Sequence, residues 1–330
     1  MNRIRAIRLG LLACGAIGLV ILVVQIGPTT VLTAISGMGW RLLLVLCFPF
    51  ALITLFDTLG WHFAFARSRV PFGVLLGARL AGEALNMTTP TAQVGGEAVK
   101  AWLLRHHVSF DESLPSVIVA KTTITIAQGA LLVVGIVCAL FILPTDSLLV
   151  RGMGWLLLVE VVAIAGFIAV QMAGVVAGGR RLLDTLSLGW ITQRLEPWLG
   201  VDRALAGFYR NEPRRLLLSF SCHFVGWLVS VLETYLIFHF LDVPVSLGGA
   251  AVIEAFGTAV RFATFLVPGG LGVLEGGHVA ASVALGFEAA AGMSFSLVRR
   301  VREVAWVGVG FVALAAMRPA ATSVSAPREV

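Results

Sequence analysis

Long apolar runs separated by short polar segments occupy almost the whole chain. Six runs, at about 9–27, 41–61, 116–143, 153–177, 216–240 and 296–317, are long enough to cross a bilayer. A hydrocarbon core of about 30 Å takes roughly 20 residues of helix. The runs are apolar throughout, whereas a lipid-facing barrel strand would alternate apolar with polar positions. Spanning helices are therefore predicted.

Two further stretches are apolar but interrupted. The first, "PFGVLLGARLAGEALNMTTPTAQVGGEAVKAWLLRHH", holds Arg79, Glu83, Asn86, Pro90 and Glu97. The second, "GGAAVIEAFGTAVRFATFLVPGGLGVLEGGHVAASVALG", holds Glu254, Arg261, Glu275 and His278. Both are too polar to face lipid. Arg69 precedes the first, and Lys100 and Arg105 close it, so it enters and leaves on one side. A re-entrant helical hairpin with its tip near Pro90 fits, and a second with its tip near Pro268. Irregular backbone at membrane depth is tolerated only where protein or a wet cavity covers it, so both hairpins must line an interior.

Setting Pro90 over Pro268 places Glu83 with Arg261, Glu97 with Glu275, Lys100 with His278 and Lys121 with Arg299. The run before the first hairpin travels inward and the run before the second travels outward, which makes the halves inverted. The predicted fold is an all-α polytopic membrane protein with about six transmembrane helices plus two re-entrant hairpins in an inverted repeat. Tightly paired full spans in place of the hairpins would give eight or more crossings. The chain reads as one membrane domain, 1–330. A first pseudo-repeat at 41–177 and a second at 216–317 are joined by a cytoplasmic amphipathic linker at 178–215.

Composition agrees: 58% of residues are hydrophobic and 13% charged, against roughly 25% charged in a soluble domain. The net charge of +6 sits in connecting segments, with no basic stripe interleaved with aromatics, so no nucleic-acid partner is expected. Arg3, Arg5 and Arg8, then Arg67 and Arg69, then the arginines between Arg180 and Arg215, fall on one side if the runs alternate. The positive-inside rule makes that side, and the N-terminus, cytoplasmic, as in a bacterial inner-membrane protein. The apolar stretch before Cys14 is too short for a cleaved leader, so a retained first span is expected. Arg299, Arg300 and Arg302 break the rule: either they are buried partners of carboxylates, or the last crossing runs otherwise.

The four cysteines, Cys14, Cys47, Cys138 and Cys222, lie in apolar runs without metal-ligand spacing or a disulfide framework. No P-loop or nucleophile elbow is present, and no cofactor is expected. Lys121, inside "VIVAKTTITIAQG", either meets a lipid phosphate or neutralises Glu83 or Glu97. Arg261 and Arg299 are candidates for the same part with Glu254 and Glu275. The glycines near the tips, Gly95, Gly96, Gly269, Gly270 and Gly272, permit close backbone approach, and free N–H groups there can hold a phosphate or carboxylate. Glu97 and Glu275 read as hairpin caps, as proton carriers, or as the acid and base of a lipid-modifying enzyme.

The stretches "EALNMTTPTAQVGGEAVKAWLL", Glu83 to Leu104, and "FLVPGGLGVLEGG", Phe265 to Gly277, together resemble the flippase-like family, the membrane region also found at the N-terminus of lysylphosphatidylglycerol synthases. The resemblance implies a protein that moves lipid across the cytoplasmic membrane. The soluble domain that attaches lysine in those synthases is not expected within these residues, so the reading is a translocase and not an enzyme. The wording "GEALNMTTPTAQVGGE" is similar to the branch encoded with hopanoid biosynthesis, which implies a sterol-like or glycosylated lipid cargo. The family's motif positions fall on Asn86, Pro90, Gly95, Gly96, Glu97, Pro268, Gly269, Gly270, Gly272 and Glu275. Membrane lipid is the expected partner, with a lipid-biosynthesis protein at 178–215 in a scaffold reading; the oligomeric state stays open.

Overall fold

The computed structural model describes Thr29, Thr33 and residues 36–88, 95–174, 196–265, 267 and 270–317, with 196–198 as backbone only. The expected first span at 9–27, both hairpin tips with Pro90, Pro268 and Gly269, and residues 178–195 of the linker lie outside the described residues. Among the described residues ten helices carry the fold and there is no strand. In chain order they are α1 (Arg41–Phe63), α2 (Phe72–Thr88), α3 (Gly95–Leu103), α4 (Phe110–Ile142), α5 (Leu148–Ala173), α6 (Glu196–Asn211), α7 (Pro213–Phe240), α8 (Leu247–Ala263), α9 (Val273–Ala284) and α10 (Ala289–Met317).

Local signals explain several boundaries. Ser147 caps α5 by accepting the Val150 N–H, and Ser246 caps α8 by accepting the Gly249 N–H. Gly174, at φ 74°, ends α5 in the left-handed conformation, and Pro213 opens α7 at a position whose N–H would be unsatisfied anyway. Among the described residues four helices, α1, α4, α5 and α7, are long and apolar enough to cross a membrane. With 29 residues α10 is long enough too, but it carries Arg299, Arg300, Arg302 and Glu303.

The same order of helices occurs twice. Lengths of 23, 17, 9 and 33 residues in α1 to α4 recur as 28, 17, 12 and 29 in α7 to α10. Packing follows the same exchange: α1 lies on α7, α2 on α10, and α4 on α8. All three pairs are antiparallel. Gly60 faces His223 while Asp57 faces Gly226; Gly77 faces Met317 while Leu80 and Ala84 face Gly310. Gly135 faces Ala251 and Ala255, while Cys138 and Ile142 face Gly248. Within each set the two short helices fold back on each other, α2 on α3 and α8 on α9.

Two apolar cores result, and a polar layer separates them. One gathers Val45, Leu131, Met153, Phe238 and Phe295, and the other gathers Trp61, Leu75, Leu104, Val117 and Phe208. On α1 the stretch between the cores holds Asp57, and on α4 it runs from Lys121 to Gln128. The described end of the predicted linker, α6, turns its apolar face inward. Val201, Leu205 and Phe208 are buried in the second core, and the Tyr209 hydroxyl lies 2.9 Å from Gln171 Oε1 and 3.2 Å from Thr122 Oγ1. The outer surface is strongly apolar, with Trp155, Val162, Val304 and Val312 exposed, as a lipid-facing surface requires.

Candidate functional site

The polar layer begins with the α2/α3 hairpin. Gly82 and Gly96 bring its two helices into contact, and Asn86 stitches them. Asn86 Oδ1 accepts the Gly96 N–H at 2.8 Å, and Nδ2 donates to Glu97 at 3.2 Å. Lys100 on α3 reaches back to Glu83 at 2.8 Å and holds Glu97 at 3.1 Å. From α4, Lys121 stands 4.0 Å from Glu97. On α1, Asp57 binds Arg79 of α2 at 2.6 Å and, across the α1/α7 contact, His223 Nδ1 at 2.9 Å.

The second helix set builds a counterpart from different pairs. Glu275, in the first turn of α9, accepts the Gly272 N–H at 2.7 Å and the Arg300 Nε at 2.6 Å. Arg300 also donates to Glu303 at 2.7 Å, and Arg261 meets the same carboxylate at 3.0 Å. Arg299 holds Glu254 at 2.5 Å, and Ser230 and Thr234 donate to the same group at 2.6 and 2.7 Å. Arg302 grips both oxygens of Glu233. Removing such groups from water costs several kcal/mol per ion, which only close pairing and extra hydrogen bonds offset.

Seven cations, Arg79, Lys100, Lys121, Arg261, Arg299, Arg300 and Arg302, thus meet seven carboxylates, Asp57, Glu83, Glu97, Glu233, Glu254, Glu275 and Glu303. Their distribution is uneven. A cavity of about 220 Å³ lies where α1, α2, α4, α7, α8, α9 and α10 converge. Five of the cations line it (Arg79, Lys121, Arg261, Arg299, Arg302) but only three of the carboxylates (Asp57, Glu83, Glu303). The wall therefore carries two more positive than negative side chains, and the remaining acids stand behind it. Lys121 and Arg261 keep 44% and 38% of their side chains exposed, so these are the two cations best placed to touch a ligand. A smaller void of about 30 Å³, room for about one water, lies among Glu83, Glu97, Lys100 and Lys121.

From residue 7 to residue 310 the sequence matches the family described as the lysylphosphatidylglycerol synthase TM region. The chain belongs to this family. No curated protein and no solved structure matches it. Membership and the apolar helices make the molecule a multi-pass membrane protein with a lipid-related function.

In this member of the lysylphosphatidylglycerol synthase TM region family, the motif residues fall into three groups. Pro90, Pro268 and Gly269 lie outside the described residues. Gly95, Gly96, Asn86, Gly270 and Gly272 shape the two hairpins. Gly270 and Gly272 adopt φ of 61° and 79°, where a side chain is strained, and Gly272 then presents its N–H to Glu275. Glu97 lines the small void, whereas Glu275 is buried in its bonds to Arg300 and Gly272. Lys121, Arg261 and Arg299 all reach the large cavity. Their counter-ions differ in part from the expected set: Lys121 approaches Glu97 and Arg299 takes Glu254, but Arg261 goes to Glu303 and Glu275 to Arg300. Arg299, Arg300 and Arg302, which the positive-inside rule could not place, are each bound to a buried carboxylate. Asp57, Glu233 and Glu303 were not singled out from sequence; the signal available was an acid inside an otherwise apolar run.

Proposed function

We propose that this protein moves a lipid across the bacterial cytoplasmic membrane by passing its headgroup through the central cavity while the tail stays in the bilayer. The observation that carries this reading is a cationic cavity at the meeting of the two helix sets, inside a molecule with an apolar outer surface. At about 220 Å³ it falls below the roughly 300–1,000 Å³ of sites that enclose whole drug-sized ligands, so it suits a headgroup and not a complete lipid. Its surplus of cations suits a phosphate or carboxylate. The antiparallel pairing of α1 with α7, α2 with α10 and α4 with α8 supports inverted repeats, with α2/α3 and α8/α9 as re-entrant hairpins entering from opposite faces. The N-terminus and the arginine-rich segment before α7 then face the cytoplasm. Phospholipid, aminoacylated and hopanoid-type headgroups are the cargo classes to compare, and the function includes no covalent change to the lipid. A lipid-biosynthesis protein that supplies the cargo is the partner this reading admits.

The test is reconstitution of the full chain in vesicles that carry a fluorescent lipid, with a membrane-impermeant quencher added outside. Translocation bleaches label beyond the outer-leaflet share. Bleaching that stops at that share in protein-containing and empty vesicles alike, for all three lipid classes and with or without a proton gradient, removes the reading. Mass spectra of the same lipids distinguish the enzyme: a protein-dependent change of mass would replace transport by chemistry.

A further inference from the structure

Helix α5 is the most lipid-like of the spans. Only Leu149, Met153, Glu160 and Gln171 along it are buried, and Leu158, Val159, Val161 and Val162 around its midpoint are exposed. Glu160 stands halfway along its 26 residues and has no exposed surface. The buried stripe faces α4, where Met153 meets Gly135, Glu160 meets Gly129 and Gln171 meets Thr122. Gly129 is the α4 position against the carboxyl: a Cβ there would lie 3.8 Å from Glu160 Cδ and Oε1, an ordinary van der Waals contact.

Among the described residues neither oxygen of Glu160 has a counter-ion or a well-aligned hydrogen bond, and the one polar side chain that approaches the carboxyl is Gln128. The contrast with Asp57, Glu233, Glu254, Glu275 and Glu303 is sharp, since each of those buried acids holds a cation. Several of the charged groups on the elements around α5 are engaged elsewhere. On α4, Glu112 is bonded to Ser68 and Lys121 approaches Glu97, and Asp111 lies beside Gly200. On α8, Glu254 is paired with Arg299 and Arg261 with Glu303. On α6, Tyr209 meets Gln171 a full three turns away, Arg203 donates to the Leu199 carbonyl, and among the described residues neither Arg203 nor Arg210 is bonded to Glu160. A carboxylate buried without a counter-ion and with at most one neutral amide beside it takes up a proton instead of keeping its charge.

One side chain reaches both this carboxyl and the cavity. The Gln128 amide, on α4 beside Gly129, faces Glu160; Gln128 also lines the central cavity, where its Nε2 donates to the Thr258 carbonyl at 3.2 Å. We propose that Glu160 is a proton-binding site in the membrane core, neutral in this conformation, that exchanges its proton with cavity water past Gln128. The carboxylate takes one proton from cavity water on closure and returns it when Gln128 moves aside. Cavity occupancy and the protonation of Glu160 are thereby linked, whatever the cavity carries.

Infrared spectra of the full chain in lipid bilayers near neutral pH test this directly. The wild-type protein should show the C=O stretch of a protonated carboxyl that Glu160→Gln loses, and the band should shift on transfer to heavy water. In Gln128→Leu that shift should be slower. Absence of the band in wild type, or its persistence in Glu160→Gln, overturns the site; an unchanged rate in Gln128→Leu overturns the route. Glu160→Leu adds an independent readout. A neutral, unpartnered acid predicts a melting temperature at or above that of wild type, and a clear drop would mean that the carboxylate is charged and paired.

Discussion

Gly96 is the tightest point of the α2/α3 hairpin. A Cβ at this position would run into the Gly82 carbonyl and the Asn86 side chain, both of which are fixed by the hairpin itself. Overpacking of this kind costs about 1–3 kcal/mol, so Gly96→Ala should lower the melting temperature in detergent. Gly154, on α5, has open space where a Cβ would go, and Gly154→Ala should gain up to about 1 kcal/mol from helix propensity. Equal shifts for the two variants would mean that α2 and α3 do not touch as described. The glycines and Asn86 could be read from sequence because they form a contiguous motif. Asp57, Glu233 and Glu303 could not, because one charge scarcely alters a long apolar run and its partner is distant in sequence. His223 follows Asp57 by 166 positions, and Arg302 follows Glu233 by 69.

Among the elements, the long helices agree with the apolar runs to within several residues. The predicted run at 116–143 is the α4 helix Phe110–Ile142, which begins earlier because its first turn holds Asp111, Glu112 and Ser113. Such residues break an apolar pattern yet suit a helix N-terminus, where acidic side chains meet the positive end of the helix dipole. The α10 helix Ala289–Met317 likewise starts before the run at 296–317. Pairing of α2 with α3 and of α8 with α9 was legible because a polar, glycine-containing break separates two short amphipathic pieces. The depth and side of each hairpin are properties of a membrane and not of helix packing. Single cysteines decide them: Thr91→Cys and Gly269→Cys, in a background lacking the four native cysteines, labelled from either side of sealed membranes. Reaction of the first from the cytoplasm and of the second from outside is expected from inverted re-entrant hairpins; reaction of both from one side excludes them.

For the molecule as a whole, the two helix sets share their order and packing but not their charges. The first set supplies Arg79 and Lys121 to the cavity wall, the second Arg261, Arg299 and Arg302. Most of these cations are locked by short ion pairs, and changing them would disturb the fold as much as the cavity. Lys121 and Arg261 are the most exposed of the five and stand on opposite helix sets. Replacing both by glutamate converts the wall from five cations and three carboxylates to three and five. If the cavity selects headgroups by charge, Lys121→Glu/Arg261→Glu should slow transfer of an anionic lipid in vesicles by at least about tenfold, since each 1.4 kcal/mol of lost attraction is one power of ten. Transfer of a cationic aminoacylated lipid should be retained or increased, and the difference should narrow as salt screens the exposed charges. Equal loss for both lipids would point to a damaged cavity, so the paired neutral variant Lys121→Gln/Arg261→Gln is the necessary companion. It should fall between wild type and the reversed charge for the anionic lipid, a graded order that structural damage would not produce.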